Sequence, residues 1–278
     1  MDPRLNYSIW KKDHKSILES LSGKEIVVAY SGGKDSSIIL DFILRAEKEF
    51  GFNFRTHAVR FPHHVFTDAE KKRLDSYWSE RGVSIVWHEV SQTDQYLDDA
   101  VKRDLNPCSR CSQFKRDLII NYLKNSATDW KPDVIILGYS LWDIVSATIE
   151  HTLGTIYSLP GHPNLLRGKI SEERFIETSQ RFYPFLKLQN GLAIFKPLIK
   201  YNDQDILNAV SDAQIPLVSI PCMYKEFRPK RLLASYYKKL RLKFEYSEVF
   251  EFAKNAYNLP DISYYEHVGI KEYLDKMI

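Results

Sequence analysis

Hydrophobic and polar positions along the chain switch repeatedly between the period of a strand and that of a helix. Ile26 to Ala29 is a short apolar run, rich in β-branched residues, with the length of a buried strand. After the polar turn Ser31 to Ser36, apolar positions return at Ile38, Leu40 and Phe42 to Leu44 with helical spacing. Upstream, Trp10, Ile17, Leu18 and Leu21 predict an amphipathic helix over 10–21. Downstream, strands are predicted over Phe54 to Val59, Ser84 to Val90, and Asp133 to Leu137, the last closed by Gly138. A helix is predicted from Thr67 or Asp68, with Thr67 as cap and Glu70 completing a capping box, and others over 94–104 and 112–124. LAIFKPL (192–198) gives a further strand, and Tyr201 onward, with Ile206, Val210 and Ile215, a further helix. Glu248 to Ile278 reads as two apolar helical stretches divided near Pro260, and this tail either caps the domain or dimerises. Residues 151–194, rich in turn formers, are the least informative. The alternation predicts an α/β fold with a doubly wound, mostly parallel sheet whose ligands gather at the carboxyl ends of the strands.

Composition changes this picture little. The 278 residues are 44% hydrophobic and 27% charged, as in an ordinary globular protein. No apolar run reaches the roughly 18 residues of a membrane span. The first residues mix acids and bases without an apolar core, so no secretory signal is expected. Three cysteines, an odd and sparse count, argue against a disulfide framework, and a cytoplasmic location follows as an expectation. Charge is informative only locally. Residues 224–243 hold eight Lys or Arg and one Glu, a local +7 that leaves the remainder near −4 out of the net +3. Interleaved with Tyr224, Phe227, Tyr236 and Tyr237, these bases suit a phosphate backbone with exposed nucleobases, although a solvated helix face has the same look.

Two motifs carry chemistry. SGGKDS (31–36) stands between a strand and a helix, where glycines admit a ligand to the backbone and the helix turns unbonded N–H groups toward it; that is an anion site. The spacing is not that of a Walker A loop. The second motif is the CxxC of Cys108 and Cys111, weak by itself, to which only Cys222 can add a third thiolate. Three cysteines leave two metal readings open, a [4Fe–4S] cluster with one open iron or a zinc with one exchangeable position. His63, His64, His151 and His162 match no standard zinc spacing and are expected to be surface or hydrogen-bonded groups.

SGGKDS resembles the pyrophosphate loop of the N-type ATP pyrophosphatase superfamily. Taken in order with CxxCxxxKR (Cys108, Cys111, Lys115, Arg116), Gly138, Asp143, KPL (Lys196 to Leu198) and Pro221–Cys222, the chain over roughly 22–235 resembles that superfamily's iron–sulfur tRNA 2-thiolation branch, the 2-thiocytidine and 2-thiouridine synthetases. The resemblance implies an adenine nucleotide α-hydrolase-like, Rossmann-like fold with a helical C-terminal extension: a helical segment at 1–22, the loop domain with cluster ligands at 23–222, and a basic then helical extension at 223–278. It implies that Ser31, Gly32, Gly33, Lys34, Asp35 and Ser36 hold the ATP phosphates with Mg²⁺, that Ala58, Val59 and Arg60 lie near the adenine, and that Gly138 admits the nucleotide. It further implies that Cys108, Cys111 and Cys222 bind a [4Fe–4S] cluster and that Lys115 and Asp143 are catalytic.

The implied activity is an ATP-dependent tRNA sulfurtransferase that adenylates a pyrimidine C2 oxygen and replaces it with sulfur. Its partners are tRNA, read by Lys225, Arg228, Lys230 and Arg231, and a sulfur donor, either a cysteine desulfurase product or inorganic sulfide; a homodimer is compatible, a membrane is not expected. Two departures stand in the GHxxDD pattern, where Tyr139 replaces the His and Trp142 the first acid. Terminal CxxC pairs, found in some 2-thiouridine members, are absent from the sequence. The alternatives are a lysidine-type ligase, which leaves the cysteines unexplained, a sulfurtransferase with a non-tRNA acceptor, and a non-catalytic nucleotide-binding iron–sulfur sensor.

Overall fold

The computed structural model describes residues 5–61, 66–90, 95–103, 105–108, 110–115, 117, 131–157, 171–224, 227 and 229–277. The side chains of 153–157, 171–174, 229–232 and 277 lie outside that description. Six strands, β1 (Glu25–Tyr30), β2 (Asn53–Arg60), β3 (Ile85–Glu89), β4 (Val134–Ile136), β5 (Phe185–Lys187) and β6 (Ala193–Phe195), form one sheet in the order β3-β2-β1-β4-β6-β5. All neighbours are parallel except β5 and β6, joined as an antiparallel edge pair. Strand order reverses between β1 and β4, and the register sets Val28 beside both Thr56 and Ile136. A crevice therefore opens at the carboxyl ends of β1 and β4, the place where such sheets bind ligands.

Because helices cover both faces, β1 is apolar almost throughout. Ile26, Val28 and Tyr30 point into one core, with Trp10, Leu18, Ile38, Phe42 and Ile206. Val27 points into the other, with Ile135, Ile194, Leu141 and Phe182. The first face is covered by Tyr7–Asp13, Lys15–Ser20, Lys34–Phe50 and Asp203–Asp212. The helix expected over 10–21 is two helices, broken at His14, whose buried Nε2–H donates to the Pro197 carbonyl at 2.8 Å. The second face is covered by Leu141–Tyr157 and by the C-terminal residues Tyr237, Ala253, Leu259, Tyr265, Tyr273 and Leu274, so the tail caps the sheet. Among the described residues no helix is long and apolar enough to cross a membrane.

Candidate active site

The loop after β1 is built as its composition requires. Gly32 has φ +65°, and a Cβ there would stand 2.6 Å from Val218 Cγ2 and 3.1 Å from Phe66, so only glycine fits. Gly33 is the N-cap of Lys34–Phe50, extended and with no side chain capping the helix, which leaves first-turn amides for a ligand. Ser36 braces the turn from within: its hydroxyl accepts from the Ser31 N–H (3.0 Å), lies 3.0 Å from Ser31 Oγ, and donates to the Gly33 carbonyl (3.1 Å). Gly138, just past β4, closes the other side, where an added Cβ would be 3.5 Å from Asp35 Cβ and from Ser36 N.

Lys34 is held by two carboxylates, Asp35 at 2.7 Å and Asp203 at 2.5 Å. Burial disfavours its charge, but the two acids outweigh burial and hold the ammonium above its ordinary pKa. A phosphate arriving here therefore meets a cation already paired and competes with Asp35 and Asp203 for it. Asp203 was not legible as a site residue. It opens the helix Asp203–Asp212, and only the packing of that helix on Lys34–Phe50 brings it to the loop.

The three cysteines meet on one patch. Val59, Phe61, Val90, Leu97 and Tyr224 form a small core of their own, and Cys108, Cys111, Phe114 and Cys222 pack against it, all three thiols partly exposed. Cys108 Sγ lies 3.5 Å from the Tyr224 carbonyl, and Asn106 fastens the two chain segments by accepting from the Cys108 N–H (2.9 Å) and donating to the Phe227 carbonyl (3.3 Å). None of the cysteines is in a disulfide. Among the described residues no three His, Cys, Asp or Glu side chains already converge as a metal site. The donor set itself, three soft thiols on an apolar ledge at the end of β2, suits a cluster with three protein ligands. Lys115, half-buried, lies one helical turn after Cys111, in the helical residues 110–115. Arg116 lies outside the described residues.

The remaining expected residues divide sharply. Ala58 is buried in the main core, and Val59 faces the cysteine patch. Arg60, with 6% of its side chain exposed, is paired with Glu89 at 2.5 Å and Asp68 at 2.8 Å and donates to the Phe66 carbonyl, which ties Phe66 and the start of Asp68–Ser79 to the end of β2. Asp143 accepts from the Ser140 N–H (2.9 Å) and hydroxyl (3.1 Å), fixing the turn after Gly138 as a helix cap does. Tyr139 lies under the Arg181 guanidinium, 5.7 Å from ring centroid to Cζ. Trp142 is 6% exposed and meets Tyr237 edge-on at 5.2 Å, so the position that carries an acid in the family pattern here docks the C-terminal helix Pro229–Lys239.

Lys196 of the KPL motif is fully buried and donates to the Gln180 (2.7 Å) and Tyr183 (2.8 Å) carbonyls; burial, then Arg181, pushes its pKa well below the ordinary value. Of the aromatic residues in the basic segment, Tyr224 and Tyr237 are buried, and Phe227 and Tyr236 are exposed. Lys225 and Arg228 lie outside the described residues, as do His63, His64 and His162; Lys230 and Arg231 stand on the helix Pro229–Lys239, their side chains undescribed. His151 packs between Phe175 and Tyr257, at 4.7 and 4.6 Å.

Over 209 residues the chain is 26% identical to the tRNA-cytidine(32) 2-sulfurtransferase of Stenotrophomonas maltophilia (strain K279a), covering 72% of this chain and 56% of that protein. The chain is similar to the tRNA thiolation branch of the pyrophosphate-loop superfamily. The protein of the same name from Methylococcus capsulatus (strain ATCC 33009 / NCIMB 11132 / Bath) is 30% identical over 154 residues, covering 52% of this chain and 48% of that one. The chain thus spans about half the length of these curated relatives. No family model matches it. Among solved structures, the U34-tRNA thiolase NcsA from Methanococcus maripaludis with its [4Fe-4S] cluster superposes with a TM-score of 0.59 at 18% identity, over 97% of this chain and 87% of that one. That likeness extends the mostly parallel, Rossmann-like fold to this chain.

Proposed function

We propose that this protein is an ATP-dependent tRNA sulfurtransferase that activates the C2 oxygen of a pyrimidine, cytidine 32 by the names of its relatives, and exchanges it for sulfur. The observation that carries the reading is the joining of two distant motifs. The segment that ends in Cys222 crosses the phosphate loop, with the Val218 N–H donating to the Gly32 carbonyl at 2.9 Å, and Cys222 shares one apolar patch with Cys108 and Cys111.

In this reading the amides of the Lys34–Phe50 N-terminus, with Ser31 and Ser36, bind the β and γ phosphates, where a bound Mg²⁺ would add positive charge. An amide-like C2 oxygen leaves poorly by itself. It attacks the α-phosphorus as the bond to pyrophosphate breaks, and charge on the leaving pyrophosphate is stabilised by the loop amides and by Lys34 as it is drawn from Asp35 and Asp203. Sulfur at the sulfide level then adds to C2 as hydrosulfide and loses its proton as adenylate leaves with the original oxygen. Cys108, Cys111 and Cys222 would hold a [4Fe–4S] cluster, whose fourth iron supplies an open position for the incoming sulfur. Lys115 faces the acceptor base or the α-phosphate from the cysteine helix, and Asp143 orders the turn past which the nucleotide enters. Lys230 and Arg231, with Lys225 and Arg228, meet the RNA backbone while Phe227 and Tyr236 offer faces for unstacked bases.

The test is anaerobic incubation of the reconstituted protein with tRNA, ATP, Mg²⁺ and sulfide, followed by nucleoside mass spectrometry. A 2-thiopyrimidine is expected with the wild type and none with Cys222→Ala. Equal yields from both proteins would refute the ligand assignment, and no thionucleoside with any tRNA would refute the activity.

A further inference from the structure

The capping box predicted at Thr67 has Glu70, three residues after the cap, reach back to it with its carboxylate. Half of that box is present: Thr67 Oγ1 accepts from the Glu70 N–H at 3.3 Å. The Glu70 carboxylate is taken up elsewhere. It is 6% exposed, accepts from the Ser219 hydroxyl, and pairs with Arg73 at 2.7 Å. The same Arg73 nitrogen donates to the Leu217 carbonyl at 2.5 Å. Residues 217 and 219 are thus fastened to one helix, Asp68–Ser79, by charge-assisted bonds, the stronger class of hydrogen bond. Between them, Val218 bonds the Gly32 carbonyl, and its Cγ2 occupies the space a Gly32 side chain would need. Cys222 lies four residues beyond Val218.

We propose that Glu70, Arg73 and Ser219 form a latch that holds the Cys222 segment against the phosphate loop, so that nucleotide in the loop and the position of the Cys222 thiol are coupled. Glu70 is a positioning residue here, acting through Ser219 and Val218 and touching neither nucleotide nor acceptor. The inference rests on the ATP-binding reading above and deepens it. Phosphates that order the Gly32–Gly33 turn fix the Gly32 carbonyl and with it Val218, and because Leu217 and Ser219 are held on either side by Arg73 and Glu70, the segment to Cys222 is then confined to one position. By linkage the coupling is reciprocal: whatever fixes Cys222 changes nucleotide affinity by the same factor.

The experiment uses the full chain without cluster. N-ethylmaleimide labelling of each cysteine is followed by peptide mass spectrometry with and without a non-hydrolysable ATP analogue and Mg²⁺, and calorimetry measures nucleotide binding separately. Bound nucleotide is expected to change the Cys222 rate, relative to Cys108, by about tenfold in the wild type, the scale of a hydrogen bond to a charged group. In Glu70→Gln and Ser219→Ala the ratio falls below about threefold although nucleotide still binds. Ser219→Ala leaves the Glu70–Arg73 pair in place and serves where Glu70→Gln lowers the folded fraction. A nucleotide response unchanged in both variants, or absent in a wild type that binds nucleotide, overturns the latch. A wild type that binds no nucleotide overturns the ATP reading, and the latch with it.

Discussion

Replacing Gly32 with alanine isolates what the phosphate loop demands of its sequence. Two costs add. A non-glycine residue at φ +65° costs about 1–2 kcal/mol, because Cβ crowds the following carbonyl. The new methyl also meets Val218 Cγ2 at 2.6 Å and Phe66 at 3.1 and 3.2 Å, and overpacking of this kind costs about 1–3 kcal/mol. Loss of about 2–5 kcal/mol is therefore expected, read as a drop in urea midpoint at constant slope. Gly191→Ala is the control, since Gly191 also has positive φ (+86°) but nothing within 4 Å, and should show the conformational cost alone. Adding Val218→Ala to Gly32→Ala should recover part of the steric share, giving a non-additive double-mutant cycle. Gly33→Ala, at a φ of −82° open to any residue, should cost only about 1 kcal/mol or less, alanine being the poorer N-cap, yet weaken nucleotide binding by narrowing the approach to the turn. Equal stability losses at Gly32 and Gly191 would refute the claim that the Cys222 segment is seated on the loop.

Three further outcomes follow from the same contacts. Trp142→Asp, which restores the acid of the family pattern, should lower stability by about 3 kcal/mol or more, because it buries an unpaired carboxylate and empties the seat of Tyr237; a thermal melt at or above the wild type would contradict that. Burial lowers the pKa of His14 and of His57 from 6.5 to about 4, so the unfolded chain binds more protons in that interval, and stability should fall as pH drops from 6.5 toward 4. His14→Gln should reduce this slope, and an identical pH dependence of the urea midpoint would refute the assignment. Tyr236→Ala, at a 57% exposed residue, should weaken binding to single-stranded RNA by about 1–3 kcal/mol with little change in stability, whereas Tyr237→Ala, at 2% exposure, should cost about 3–5 kcal/mol of stability; filter binding and denaturation together test the split.

Much of the fold was legible because β1 and β4 bury both faces and so announce themselves as apolar runs, because β2 alternates over Phe54 to Val59, and because SGGKDS places its turn between a strand and a helix. β5 escaped notice: at three residues, with one buried position, Phe185–Lys187 has too few residues to display a period. The break at His14 was hidden too, since Trp10 and Leu18 both face one core and keep the look of a single helix. In the site, the loop and the Cys108–Cys111 pair stand out by local spacing, whereas Cys222 was joined to them only by elimination and by the resemblance. Asp203, Ser219 and the turned-away carboxylate of Glu70 could not, because each reaches its place only through packing between segments distant in the chain. The aromatic residues of the basic segment show the same limit. Composition cannot separate Tyr236 from Tyr237, neighbours on one helix, and only the docking of Pro229–Lys239 on Trp142 does so.

In the proposed activity ATP activates a carbonyl oxygen which sulfur then replaces. Its most direct test follows that atom: tRNA carrying ¹⁸O at the pyrimidine C2 position is thiolated by the reconstituted protein, and the released adenylate is weighed. One ¹⁸O is expected in AMP for each thionucleoside formed. Unlabelled AMP, or ADP in place of AMP, would contradict it.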